Sequence, residues 1–291
     1  KTNALKQAQA QFQIKFILET HKDIKGNKNI VEAAKSLFDQ QASNSILSIT
    51  NLKRLEQGIA HEPIAEFMEQ FRSGFFGRRT KFAKMTFPLV VKEIFQPGST
   101  ANPLAKKYAI ALQEAFNITR IRQNQYGGNI KKIQGGYLPQ PHDQVKVSKA
   151  TQDEWIEFTL PELDLSKMIN DYTGRAFTKA ELLLVLPEVY RSIRSGGLNK
   201  FKPSGRNVGS SSLANKRLDH RFLIFKDGDS YMRYQEKFGD KDTIAVLYQH
   251  LESMSRDTAL MRQLGPNQNA GMAYITGYLR KQTENVSLKE A

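Results

Sequence analysis

The sequence predicts a mainly α protein, a multi-helical domain with at most a few short β-strands. Three observations carry this. In DTIAVLYQHLESMSRDTALMRQLGPN (242–267), apolar residues fall at Ile244, Leu247, Leu251, Met254 and Met261, with Thr258 in the gap. That three-and-four spacing is one face of a helix. TQDE (151–154) and TKAE (178–181) both have the form of a capping box, in which a threonine and a glutamate three residues on satisfy each other's backbone donors. The best strand candidate, HRFLIF (220–225), is short.

The elements follow in chain order. AQAQFQIKF (8–16) alternates apolar and polar residues as a strand would, but Ala and Gln and the length of the run favour a helix there. Helices are expected near 27–42, 45–58, 61–73 and 100–123. The capping box at Thr151 opens another, which carries the only tryptophan, Trp155. The box at Thr178 opens one whose apolar face holds Leu182, Leu186, Val189 and Ile193. Pro187 lies inside it and is expected to kink or split it. Further helices are expected near 228–238 and 270–284. The 242–264 helix is capped by Asp242 and stopped by Gly265-Pro266. A short hairpin or strand pair is expected near 130–147 and 219–226.

Two breakers divide the chain: FQPGSTANP (95–103) and the Gly- and Ser-rich SGGLNKFKPSGRNVGSSS (195–212). There is no internal repeat. The organisation expected is an N-terminal helical region, 1–124, and a C-terminal helical region, 125–291, that begins with a Gly/Pro-rich loop. Two halves of one domain fit equally well.

Composition sets the partners. Hydrophobic residues make up 40% and charged residues 25%, enough for a packed core under a wet surface. No run of about 18 apolar residues occurs, so no integral membrane segment is expected. The opening KTNALKQAQAQFQ does not have the pattern of a signal peptide, and the missing initiator Met suggests a processed chain or a piece of a longer one. Cysteine is absent, which excludes disulfides and thiolate metal sites. The 43 Lys and Arg against 29 Asp and Glu give a net charge of +14. Such a chain favours polyanions, either nucleic acid or an anionic membrane surface.

Catalytic motifs are missing. YGGNIKKIQGGYLPQPHD (126–143) contains two Gly-Gly pairs, but no dinucleotide fingerprint and no Walker loop. His142 beside Asp143 has the composition of a general base with its orienting group, yet adjacent residues rarely bond that way. The expectation is an ordered structural loop, with glycines in turns and with Tyr137 and Leu138 docked on the core. His21, His61, His142, His220 and His250 show no metal-ligand spacing, so no metal and no cofactor are expected. His250 and Asp257 share one side of the 242–264 helix and fit a buried hydrogen bond or a solvated edge better than a ligand pair.

Two basic segments carry more weight. FRSGFFGRRTKFAK (71–84) interleaves Arg72, Arg78, Arg79, Lys81 and Lys84 with Phe71, Phe75, Phe76 and Phe82. The cations suit phosphates, and the rings either stack on bases or enter the core. The second segment, 191–226, holds Arg191, Arg194, Lys200, Lys202, Arg206, Lys216 and Arg217. These twelve cations are the candidate nucleic-acid-binding residues, for contact without sequence preference.

A resemblance adds to this reading. NQYGGNIKKIQGGYLPQPHD, then DEWIEF, then SSLANKRLDHRFLIFKDGDSYMRYQEKFGD, then HLESMSRDTALMRQLGPN, together about half the chain, resemble segments of tailed-phage internal virion proteins. These are also called ejection proteins, and some are grouped as polyvalent proteins. The resemblance implies a structural role in the capsid interior and delivery into the host cell with the genome. It also implies contacts with DNA or other virion subunits, and it supplies no catalytic residues. The alternative is an injected enzyme or inhibitor module acting on host nucleic acid or a host protein. A cleft holding His142, His220 and nearby acids would favour that alternative.

Overall fold

The computed structural model describes residues 2–290 apart from 23–25, 27, 40–47, 73–81, 133–136, 171–172, 197–221 and 240–242. Among these the chain is helical: α1 (Thr2–Thr20), α2 (Ile30–Ser36), α3 (Ile49–His61), α4 (Ala65–Arg72), α5 (Phe87–Phe95), α6 (Pro103–Gln125), α7 (Gln144–Lys149), α8 (Gln152–Thr159), α9 (Lys179–Arg194), α10 (Gly228–Phe238), α11 (Thr243–Leu264) and α12 (Gln268–Glu290). Both capping boxes form as the sequence predicts, at Thr151 with Glu154 and at Thr178 with Glu181. The cap expected at Asp242 lies outside the described residues.

Helix α11 sits at the centre because it is apolar on more than one side. Leu247, Leu251, Met254, Met261 and Leu264 are all buried, and the helix packs against α3, α6, α1 and α12. It stops at Gly265, whose φ of +88° is a left-handed conformation that glycine adopts without steric cost. The Gly265 amide donates back to Met261 at 2.9 Å.

Helix α5 is short and almost wholly buried, and the sequence reading missed it. Its residues FPLVVKEIF carry an apolar run that propensity alone does not mark as helix. Buried Glu93 organises the turn from α5 to α6. Its carboxylate accepts from the Gly98 amide at 2.6 Å and from the Thr100 amide and hydroxyl, both at 2.7 Å. The Thr100 hydroxyl and these amides hold it below the usual carboxylate range, against the opposing pull of burial. Asn102 then caps α6, accepting from the Ala105 amide.

Buried Glu56 ties three helices together. From α3 it accepts Nε and Nη2 of Arg122 on α6, and Arg262 on α11 lies 3.5 Å from the same carboxylate. Both guanidiniums sit near the ring of Tyr126, at 5.8 and 5.7 Å from its centroid.

The large core is aromatic on its α8–α10 side, where Trp155, Phe225, Tyr231, Tyr234 and Phe238 are buried together. A smaller core joins α1, α2, α11 and α12 through Ile14, Leu18, Leu37, Leu264 and Ile275.

Two expectations need correction. Of the kink or split expected at Pro187, the split does not occur: α9 runs unbroken from Lys179 to Arg194. The expected strand pair is also absent from the described parts of 130–147 and 219–226. Leu223 and Phe225 do point inward, at 4% and 1% exposure, but residues 222–226 bond instead to the stretch after α8. Phe225 forms a single bridge with Leu163, the Asp164 amide donates to the Ile224 carbonyl, and the Lys226 amide donates to the Glu162 carbonyl. No ladder extends from this one bridge among the described residues.

Candidate nucleic-acid interface

The Tyr126–Asp143 stretch is a structural connection in its described parts. Gly127 has φ +112° and lies against Pro266, where an added Cβ would come within 2.6 Å of the proline ring. The Asn124 side chain clamps Ile130, accepting its amide at 2.8 Å and donating to its carbonyl at 3.0 Å. Leu138 is buried and the Tyr137 ring packs against Phe116 and His250, as the sequence predicts. The Tyr231 hydroxyl donates to the Pro139 carbonyl and the Gln140 amide to the Leu223 carbonyl.

His142 and Asp143 do not act on one another. The Asp143 carboxylate caps α7, accepting from the Val145 and Lys146 amides. His142 places Nδ1 3.0 Å from the hydroxyl of buried Tyr234, whose pKa is pushed up by burial. His220 lies outside the described residues. Among the described residues no group of three or more histidines and carboxylates gathers to hold a metal. Asp257 is fully buried and lies 3.3 Å from its neighbour Arg256, while His250 packs its ring on Phe116 and Tyr137.

Of the first basic segment, Arg78, Arg79 and Lys81 lie outside the described residues. Arg72 is the last residue of α4, and Lys84 is exposed on the π-turn Phe82–Thr86 that leads into α5. Of the second, Lys200, Lys202, Arg206, Lys216 and Arg217 also lie outside. Arg191 and Arg194 are exposed in the last turn of α9, where cations suit the negative end of the helix dipole. Arg191 pairs with Glu188 at 2.9 Å.

Packing adds two cations to these arginines. Helices α7 and α9 lie side by side: the Tyr190 hydroxyl donates to the Ala150 carbonyl, and Gly196 abuts the Gln144 amide. The two helices therefore run antiparallel, and exposed Lys146 and Lys149 join the end of α9. Lys146 donates to the Gly239 carbonyl just past α10. Lys149 and Arg194 have no carboxylate partner among the described residues. The sequence predicts a hairpin or strand pair near 130–147 and no element at Lys149, where the structure has a helix; the signal that marks it is an Asp cap followed by basic residues three apart, which share a helix face.

This end of the protein is also where the 197–221 segment is anchored. It leaves at Gly196, against Gln144, and the chain resumes at Phe222–Lys226, held by Gln140. Two of the acids nearby are committed to local bonds. Glu188 holds Arg191, and Glu154 is kept below its usual range by the Thr151 backbone and hydroxyl in its capping box. What the described residues of this arrangement offer chemically is a set of donors and positive charges suited to an anion.

Compared with known proteins, the chain matches no family model, no curated protein and no solved structure.

Proposed function

We propose that this chain is a structural, delivery-related module of a phage internal virion protein, which contacts DNA without sequence preference through the basic end formed by α7, α9 and the segment between Gly196 and Phe222. One observation carries the DNA contact: Lys146, Lys149, Arg191 and Arg194 lie on two packed helices at the root of a segment that adds Lys200, Lys202, Arg206, Lys216 and Arg217. The net charge of +14 supports the same reading. The virion location rests on the resemblance of residues 124–267 to phage internal proteins. Protein mass spectrometry of purified particles and of newly infected cells tests that location.

Phosphate contacts hold nucleic acid in place but carry no base information. Fluorescence anisotropy with two unrelated duplexes should therefore give similar affinities. The logarithm of the binding constant should fall against log salt with a slope of about −0.9 for each phosphate neutralised. Changing Lys149, Arg191 and Arg194 to Glu should weaken binding to both duplexes and flatten that slope. Reversing Arg78, Arg79 and Lys81 tests the first basic segment in the same way. Absence of binding at low salt would remove DNA from the reading.

A further inference from the structure

Helix α1 has two apolar faces, and the fold uses one. Ala10, Ile14 and Leu18 are buried, the last two in the smaller core. On the opposite side Leu5, Phe12 and Phe16 are 61%, 70% and 59% exposed. At 100° per residue these three side chains fall within about 40° of arc, a straight stripe along the helix. Gln9 completes the series at 5, 9, 12 and 16, the i, i+4, i+7, i+11 spacing of a helix-pairing seam.

The charge around the stripe is unlike that of the whole protein. Among the described residues its flanks carry Thr2, Ala8 and Gln13, and the charges beside it cancel, since Lys15 pairs with Glu19 at 3.8 Å. Glu19 also accepts from the Tyr278 hydroxyl of α12. Lys6 turns to the side, where it donates to the Asn124 carbonyl. A chain of net charge +14 thus presents, among the described residues of α1, a neutral, apolar face. Nothing on that face favours a polyanion, and its low charge allows a like-charged copy to approach.

The stripe is also complementary to itself. In an antiparallel pair, the register that sets Leu5 opposite Phe16 of the other copy also sets Gln9 opposite Phe12. Lys15 then falls beside the small Ala8 rather than beside a cation. We propose that this face is a self-association surface, through which two copies of the chain pair their α1 helices antiparallel. The contact is short of the ~800 Å² per partner of a standard interface, so the dimer is weak and depends on concentration.

Sedimentation equilibrium of the whole chain, from low concentration up to about 100 µM, should show a monomer–dimer equilibrium. Added salt should strengthen it by screening the charge on each copy, the opposite of the effect on DNA binding. Phe12→Gln with Phe16→Gln should raise the dimer dissociation constant by about tenfold or more, leaving the melting temperature and DNA affinity unchanged, since both rings are exposed. The native sequence has no cysteine, so the register can be read directly. Leu5→Cys mixed with Phe16→Cys should form a disulfide-linked pair, whereas Leu5→Cys alone, with its two thiols roughly 16 Å apart along the helices, should not. A monomer at every concentration overturns the proposal, as does a dimer unaffected by the Phe12 and Phe16 changes. Preferential linkage of Leu5→Cys to itself overturns the antiparallel register. If the chain is monomeric and the two changes instead abolish binding to phosphatidylglycerol vesicles, lipid is the occupant and the proposal fails.

Discussion

Glu56 and Arg122, on α3 and α6, meet through two parallel hydrogen bonds, Nε at 2.9 Å and Nη2 at 2.6 Å. The carboxylate is 3% exposed and the guanidinium side chain 25%. Because Arg262 approaches the same carboxylate, removal of Glu56 would leave two half-buried cations with no carboxylate between them. Glu56→Ala should cost about 3 kcal/mol, the lower part of the range for breaking a buried pair, since water reaches both arginines. Urea denaturation of the variant beside the wild type checks this, and Arg262→Ala should cost less.

Phe225 is 1% exposed and touches Tyr231 and Tyr234, with ring centroids 5.8 and 5.1 Å away. Phe225→Ala should destabilise by about 3–5 kcal/mol through lost burial and the cavity left behind. An unchanged melting temperature would show that the ring is not in the core.

Gly127 is fixed both by its dihedral angle and by its neighbour. A Cβ there would be strained at φ +112° and would collide with Pro266. Gly127→Ala should therefore cost about 2 kcal/mol or more, whereas Gly58→Ala, in open space on α3, should be neutral or stabilising. Thermal melts of the two variants provide the comparison.

Glu181 carries the clearest pH signature. Arg175 first, and then the Thr178 backbone and hydroxyl, lower its pKa from 4.5 to about 2. A carboxyl whose folded pKa is depressed stabilises the fold above its unfolded pKa and loses that contribution as pH falls toward the folded value. The melting temperature should thus drop between about pH 4.5 and pH 2, and Glu181→Gln should flatten that limb while lowering the melting temperature at neutral pH.

Much of the fold was legible because its signals are local. The caps at Thr151 and Thr178, the stop at Gly265 and the span of α10 can each be read from a few neighbouring residues. Helix α5 was not legible, since FPLVVKEIF is short and rich in β-branched and aromatic residues, and its helical state is decided by burial between α6 and α10. The exchange of partners at Phe225 was hidden for a similar reason: which backbone it meets depends on how α8 and α10 pack, not on its own alternation. At the basic end, Arg191 and Arg194 were visible as cations in a run. The Asp143 cap and the three-residue spacing of Lys146 and Lys149 mark their helix, but Lys149 joins the arginines only because Tyr190 and Gly196 bring α9 alongside α7, a tertiary fact.

The anchoring of the basic segment has a thermodynamic consequence. Gln144 touches its departure point at Gly196, and Gln140 holds Leu223 just past its return, so both ends are fixed within one stretch of five residues. The entropy lost in closing a connector between fixed ends grows only with the logarithm of its length. Even for a connector with no structure of its own, halving or doubling it would shift stability by only about 0.6 kcal/mol. On the proposed reading, the number of cations carried there could therefore vary widely while the helical body stays folded, so that affinity for a polyanion and stability of the fold would be separately adjustable.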